Sequence, residues 1–444
     1  MAKQPEQAAP PPPPPIVFKA SGQNDQAAQA NLITARQSPG FYFACVMTAD
    51  AIMKRANQIL LDYTRDKVGV RYQIDGMWHN MPVRDRQSGD AMLAVFKKLA
   101  DLNPAERRGR QSGKFKAEYY KARLECSITS QGVPTGERAV IKMVDKKSPI
   151  KLDTLEDLGM REKMRERFKE VINAHDPFFL IFSAMPGDGL TATFRAGLNS
   201  ADRLLRDFVQ LQSVEYDDEE VINVDPTTYD PSQGVSPDKI LAEVLRREPN
   251  VLVVPDLTNA ETVNALCDVV AKNNMPVITR VNAKEAVEAL LRVMAFRGDP
   301  QKFANVATAV LNSRLIRRLC PSCKQPYQPP PQLLQRLGIP PGRVQVLYKQ
   351  WEPPPPPPPQ SGQKPPEPQI CRDCGGMGYK GRIAIFELLI VTDEMRQALV
   401  KQPKLEVLRA LAKKAGHRNI QEEGVLLVAM GTTSLVELQR VLKQ

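Results

Sequence analysis

Two groups of residues in this 444-residue chain have types and spacing that could do chemistry. The first is the run 179–198. There the apolar Phe179-Leu180-Ile181-Phe182 leads into a turn with Gly187 and Gly189, then into Thr191 and a helical segment. Strand, glycine turn and helix N-terminus together form the grammar of a phosphate-binding loop. The pattern G-x-x-x-x-G-K-[ST] needs Gly at 184 and Lys at 190, where this chain has Ala184 and Leu190; Gly189 and Thr191 fit. The second group is two C-x-x-C pairs, Cys320/Cys323 and Cys371/Cys374, separated by 47 residues.

Gly187 and Gly189 let the loop turn tightly, so its backbone N–H groups can face an anion. Leu190 lacks the charge-assisted hydrogen bond that a lysine supplies, worth roughly 1.5–3 kcal/mol. Asp188 adds a negative charge beside the same place. If a nucleotide is held here, the residues are Gly187, Asp188, Gly189, Leu190 and Thr191. The spelling argues against it, and the plain alternative is a buried strand, a turn and a helix.

The length predicts two or three domains. No apolar run approaches the ~20 residues of a membrane span, and the N-terminus lacks a signal-peptide apolar region. The expectation is a cytoplasmic protein. Net charge is +11, from 61 basic and 50 acidic residues. That suits an acidic partner or simply a basic surface. Of seven cysteines, Cys45, Cys126 and Cys267 stand alone and read as ordinary. The paired four favour a metal over disulfides in such a compartment.

Around these groups the elements can be read in order. Residues 1–40, with the tract Pro10 to Pro15, read as a disordered proline-rich tail. Residues 41–145 predict a small α/β domain. Its helices are Ala49 to Leu61 and Ala91 to Leu102. Its strands are Lys67 to Ile74 and Met77 to Met81 about the hairpin Asp75-Gly76, then Lys114 to Tyr120, Ala122 to Ser130 and Arg138 to Asp145. Residues 146–175 read as a linker with a charged helix. Residues 176–319 alternate strands (Phe179–Phe182, Phe208–Val214, Val251–Val254, Pro276–Arg280) with helices, which predicts a parallel sheet. Within that region, 301–319 reads as a helix. Residues 320–382 carry the cysteines and a second proline tract, Pro353 to Pro359. Residues 383–444 read as helical, broken at Gly416 and Gly431.

The assembled order resembles the bacterial ATPases that drive type II secretion and type IV pilus assembly. The resemblance rests on Arg314-Leu315-Ile316-Arg317-Arg318-Leu319-Cys320-Pro321-Ser322-Cys323-Lys324 and on Cys371-Arg372-Asp373-Cys374-Gly375-Gly376-Met377-Gly378-Tyr379-Lys380-Gly381-Arg382. Val70 to Gly76, Gly136-Glu137-Arg138 and Leu245 to Val251 add to it. It implies an α/β fold with a PAS-like N-terminal domain, a RecA-like parallel-sheet domain, a zinc module and a helical C-terminal domain. It also implies a structural Zn²⁺ on Cys320, Cys323, Cys371 and Cys374, with tetrahedral sulfur ligands at ~2.3 Å and no open position for catalysis.

The same resemblance locates departures. The family's Walker A lysine falls on Leu190, and its Walker B glutamate on Asp256. The water-orienting glutamate of its acidic box falls on Leu211. Its histidine box becomes Thr279 to Ala286, and an N-terminal arginine that reaches the γ-phosphate falls on Glu125. Phosphoryl transfer depends on positioning and charge, and losing one donor typically costs about 100- to 1000-fold. Asp256 is the conservative swap and remains as a vestigial magnesium ligand or a helix cap.

The resemblance thus implies a hydrolysis-deficient assembly or regulatory subunit without dependable ATP/Mg²⁺. The alternative is an active ATPase that recruits Arg195, Lys284 or Arg280 in place of Leu190. The implied partners are an inner-membrane platform protein and an active paralogous ATPase. The implied assembly is a homo- or hetero-hexamer, weak in isolation and peripheral to the inner membrane. Only the proline-rich tail precedes the matched region, so the family's extra docking domain is expected to be absent. Nucleic acid is not expected, since no aromatic-interleaved basic patch is present.

Overall fold

The computed structural model describes residues 14–145, 152–216, 218–352 and 370–443. They fall into two compact units divided at Ile150/Lys151.

In the first unit the chain begins with β1 (Ile16–Lys19), α1 (Asp25–Gln37), α2 (Phe41–Met53), β2 (Ala56–Tyr63), β3 (Lys67–Ile74) and β4 (Met77–Asp85). It continues with α3 (Arg86–Leu99), β5 (Gln111–Tyr119), β6 (Ala122–Val133) and β7 (Gly136–Asp145). The seven strands form one sheet in the order β1-β5-β6-β7-β2-β3-β4, every pairing antiparallel. Phe18, Phe41, Phe96 and Phe115 meet at ring centroids 5.9–6.4 Å apart, tying β1, α2, α3 and β5 into one core. Lys97 is buried, and its ammonium lies 2.5 Å from the Glu137 carboxylate.

Two expectations fail here. Residues 14–40 are not tail: Ile16 and Phe18 alternate with exposed neighbours on β1, which pairs with β5, and the Asn24 side chain caps α1 by accepting from the Ala27 N–H. A helix over 49–61 is also wrong. α2 ends at Met53, Arg55 turns the chain with φ +60°, and alternate residues of β2 (Ala56, Ile59, Leu61, Tyr63) are buried. Proline-rich composition before β1, and apolar residues on both sides of Lys54-Arg55, masked period-2 burial. Residues 1–13 and both remaining proline-tract stretches, 10–13 and 353–359, lie outside the described residues.

The second unit opens with α4 (Glu162–Ile172), β8 (Phe179–Ala184), α5 (Leu190–Asn199), β9 (Phe208–Ser213) and β10 (Val224–Tyr229). Then come α6 (Pro237–Leu245), β11 (Val251–Asp256), α7 (Ala260–Lys272), β12 (Val277–Asn282), α8 (Ala286–Met294), α9 (Pro300–Val306) and β13 (Ala307–Leu319). The strand order is β10-β9-β11-β12-β8-β13, all parallel, and β16 (Tyr379–Ile390) closes the edge antiparallel to β13. Before β16 lie β14 (Gln325–Tyr327), α10 (Pro331–Arg336) and β15 (Leu347–Lys349), with β14 and β15 pairing antiparallel. After it come α11 (Asp393–Lys401), α12 (Leu405–Lys414), α13 (Ile420–Ala429) and α14 (Leu435–Lys443).

Both faces of this sheet are covered, the ordinary condition of a parallel sheet. One core gathers α6, α7, α8, α9, α11 and α12; the other gathers α4, α5 and residues 152–160. All six residues of β8 are buried. Leu155 and Leu158 are core residues, and the Ala384 N–H donates to the Leu158 carbonyl at 2.9 Å. Residues 152–160 are therefore built into this unit rather than serving as a free linker.

The helix expected over 301–319 is α9 alone, which starts at the N-cap Asp299 and stops at Val306. Ala307 to Leu319 is a strand because β8 and β16 flank it and layers cover both of its faces. Continuous burial removes the alternation that would mark it as β. For the same reason 383–390 is strand, not helix. Gly416 and Gly431 do break helices, with φ +78° and +67°.

Candidate nucleotide site and tetracysteine centre

β8 runs into a tight turn in which the Asp188 N–H donates to the Met185 carbonyl at 2.9 Å. Gly187 and Gly189 both take positive φ, +85° and +83°, and α5 starts at Leu190. The chain path is that of a phosphate-binding loop. At Gly189 the positive φ, rather than space, favours glycine, since a Cβ there would meet the Leu315 side chain at an ordinary 3.4 Å.

The loop carries a carboxylate that β13 binds. Arg314 on β13 donates from Nε to Asp188 Oδ2 at 2.7 Å, and the Leu315 N–H reaches Asp188 Oδ1 at 3.4 Å. The Arg314 side chain is 4% exposed, and its Nη2 donates to the Val441 carbonyl at 2.9 Å. Leu190 is half-buried and packs with Leu315 against the core on the α4/α5 face. Thr191 is exposed, and its Oγ1 donates to Asp218 Oδ1 at 3.1 Å.

A second ion group stands beside the first. Arg280 on β12 lies opposite Asp256 on β11. Its guanidinium reaches Asp218 Oδ2 at 2.5 Å and Asp256 Oδ1 at 3.5 Å. It also sits over the rings of Tyr216 and Phe194, at 5.2 and 5.6 Å from their centroids. Burial works against the Arg280 charge, but the Asp218 hydrogen bond, Tyr216 and Asp256 outweigh it and raise its pKa. Burial pushes the Tyr216 phenol up to about 12.

The other sequence assignments land apart from this group. Leu211 is buried in the core beneath α6 and α7. Arg195 pairs with Glu219 and with Asp153. Lys284 and Asn282 are exposed at and beyond the end of β12, and the Lys284 N–H donates to Glu288. Glu125 is exposed on β6 of the first unit, opposite Lys116. Sequence reading missed Asp218 and the Asp188–Arg314 pairing. Asp218 had only its acidic neighbours Asp217, Glu219 and Glu220 as a signal.

The four paired cysteines do converge. Their sulfurs all lie within 4.8 Å of one another, with Cys320···Cys371 at 3.9 Å and Cys323···Cys374 at 3.6 Å. A tetrahedral ion with ~2.3 Å bonds to sulfur holds its ligands about 3.8 Å apart, so the set fits. The first pair starts where β13 ends, and the Cys320 N–H donates to the Gly378 carbonyl at 2.9 Å. Gly375, Gly376 and Gly378 take positive φ, and the Gly378 N–H donates to Cys374 Sγ at 3.3 Å. The N–H groups of Cys374 and Asp373 pull the Cys371 thiol down to about 7, whereas burial raises Cys320 and Cys323. Four thiolates this close need a cation, and the centre can coordinate a metal ion. Cys45, Cys126 and Cys267 are buried, and burial raises their thiols to about 11, 12 and 12.

An antiparallel sheet unit, a RecA-like parallel sheet with a glycine turn after an inner strand, a tetracysteine centre and four C-terminal helices define the class of secretion NTPases. Residues 41–440 match the family described as Type II/IV secretion system protein, and the chain belongs to that family. It is 29% identical over 394 residues to the type IV pilus assembly ATPase PilB of Thermus thermophilus, covering 88% of this chain and 41% of that protein. It is 27% identical over 401 residues to the type II secretion system protein E of Dickeya dadantii, covering 90% and 74%. The chain thus spans less than half of the first relative's length. The fold matches the Legionella pneumophila ATPase DotB, with TM-score 0.54, 12% identity, and 89% and 94% of the two chains covered. Among the described residues no helix is long and apolar enough to cross a membrane.

Proposed function

We propose that this chain is a hydrolysis-deficient member of the family, an assembly or regulatory subunit of a secretion or pilus machine. The carrying observation is the Asp188–Arg314 ion pair within a loop whose lysine position holds Leu190. The charged side chain of the loop itself is the Asp188 carboxylate, and no lysine stands in it. Arg280 and Arg195, the cations nearest to replacing a lysine, are each paired with carboxylates. Leu211 in the core cannot orient a water. The scaffold features, by contrast, are intact: Cys320, Cys323, Cys371 and Cys374 suit a structural Zn²⁺ that holds the end of β13 to the start of β16. The partners this reading calls for are a membrane platform protein and an active paralogous ATPase in a mixed or homomeric ring. Relatives bear the names of pilus assembly and secretion ATPases, which makes an active motor the competing reading.

The test is ATP binding and turnover by the purified, zinc-loaded chain beside Leu190→Lys. Neither protein is expected to turn over ATP, because restoring one donor leaves Asp188, Leu211 and the histidine-box changes in place. Turnover by the unmodified chain at rates of the order of 1 per second overturns the proposal.

A further inference from the structure

We propose that Arg280 is the resident cation of the site, an internal guanidinium standing where a divalent ion would be gripped by Thr191, Asp218 and Asp256. This deepens the reading of the site as non-hydrolysing and rests on it.

The geometry carries the argument. One hydroxyl and two carboxylates make an oxygen donor set of the kind hard divalent cations take. Arg280 joins the two carboxylates, and Thr191 is joined to the group through Asp218. Asp218 uses Oδ1 on Thr191 and Oδ2 on Arg280, and Asp256 Oδ1 faces the same guanidinium. Tyr216 and Phe194 lie against the guanidinium, and the Arg280 side chain is only 14% exposed. A delocalised, weakly hydrated cation flanked by aromatic rings is well suited to such a place. Asp218 and Asp256 do not pair with each other through any other described cation, so removing Arg280 leaves two carboxylates facing one gap. An incoming divalent ion must displace a charge that is covalently part of β12, which gives the guanidinium a high effective concentration.

Mn²⁺ binding to the full, zinc-loaded chain tests this, read as loss of free Mn²⁺ by electron paramagnetic resonance and as quenching of Tyr216. The unmodified chain is expected to show no saturable binding in the low millimolar range. Arg280→Ala is expected to gain one site per chain, at least about tenfold tighter. Asp256→Asn in the Arg280→Ala background is expected to lose it. Equal Mn²⁺ binding by the unmodified chain and Arg280→Ala, including none by either, overturns the proposal, as does a gained site that survives Asp256→Asn. Arg280→Gln carries the same expectations should the alanine variant not fold. Saturable quenching of Tyr216 in the unmodified chain refutes the proposal without any variant. ATP turnover would remove the functional reading while leaving this comparison intact, and failure of the Mn²⁺ comparison leaves the non-hydrolysing reading standing.

Discussion

Asp188 and Arg314 stand 126 positions apart in sequence, with the Arg314 Nε 2.7 Å from the Asp188 carboxylate. This contact fastens the glycine turn to β13 and, through the Val441 carbonyl, to α14. The carboxylate that the glycine turn carries is thereby satisfied from within the fold.

Asp188→Ala should therefore destabilise the chain. Arg314 is nearly fully buried, and removing its partner strands a guanidinium with one carbonyl left to it. Breaking a buried pair from one side costs about 3–5 kcal/mol; the Val441 contact puts the expectation near the lower end. Urea unfolding of the second unit reads it. Asp188→Ala/Arg314→Met should recover much of the loss, because no buried charge then remains. A single variant within about 0.5 kcal/mol of the parent contradicts the account.

Acid should act through Glu437. Burial favours its neutral form, but hydrogen bonds from Arg440 and Arg317 outweigh burial and hold the carboxyl below its ordinary 4.5. Arg317 Nη2 and Arg440 Nη2 each lie 2.6 Å from it. A depressed folded-state pKa gives stability that is present above pH 4.5 and lost as pH falls through the folded value. Unfolding midpoints of the parent and Glu437→Gln should differ most above pH 4.5 and draw together as pH falls below it. Parallel profiles across that range would show that the pair does not titrate as described.

Chelation should loosen the cysteine centre. One zinc per chain is expected by metal analysis, and Cys320→Ser or Cys374→Ser should lower both the metal content and the melting temperature. Withdrawing the ion leaves four sulfurs within 4.8 Å of one another, with burial opposing ionisation of Cys320 and Cys323. A metal-free preparation with an unchanged melting temperature contradicts a structural role.

The sequence was most readable where chemistry is local. Glycine turns at 187–189, the hairpin at Asp75-Gly76 and the C-x-x-C spacings each impose a backbone conformation on a few adjacent residues, and each appears where expected. It was least readable where burial erases periodicity. β13 and the end of β16 carry apolar residues on both faces, so nothing in their spacing separates strand from helix. The start of the chain shows the converse, since Ile16 and Phe18 enter a core directly after a proline tract that dominates the local composition. Partner choice was beyond local reading altogether. Asp188 looked like an unfavourable charge beside an anion site, and only tertiary pairing with Arg314 gives it a role.

β13 has one further property. Arg314 grips the turn after β8, and Cys320 lies six residues along the same backbone, about 20 Å at strand pitch. The stretch between them is paired along one side by β16, with a register shift between Arg317 and Leu319, and β8 ends opposite Ser313. A pull on the sulfur cluster is therefore delivered lengthwise to the turn, with no loop between them to absorb it. Loss of the ion should register as faster amide exchange at Arg314 and Leu315 as well as at Cys320.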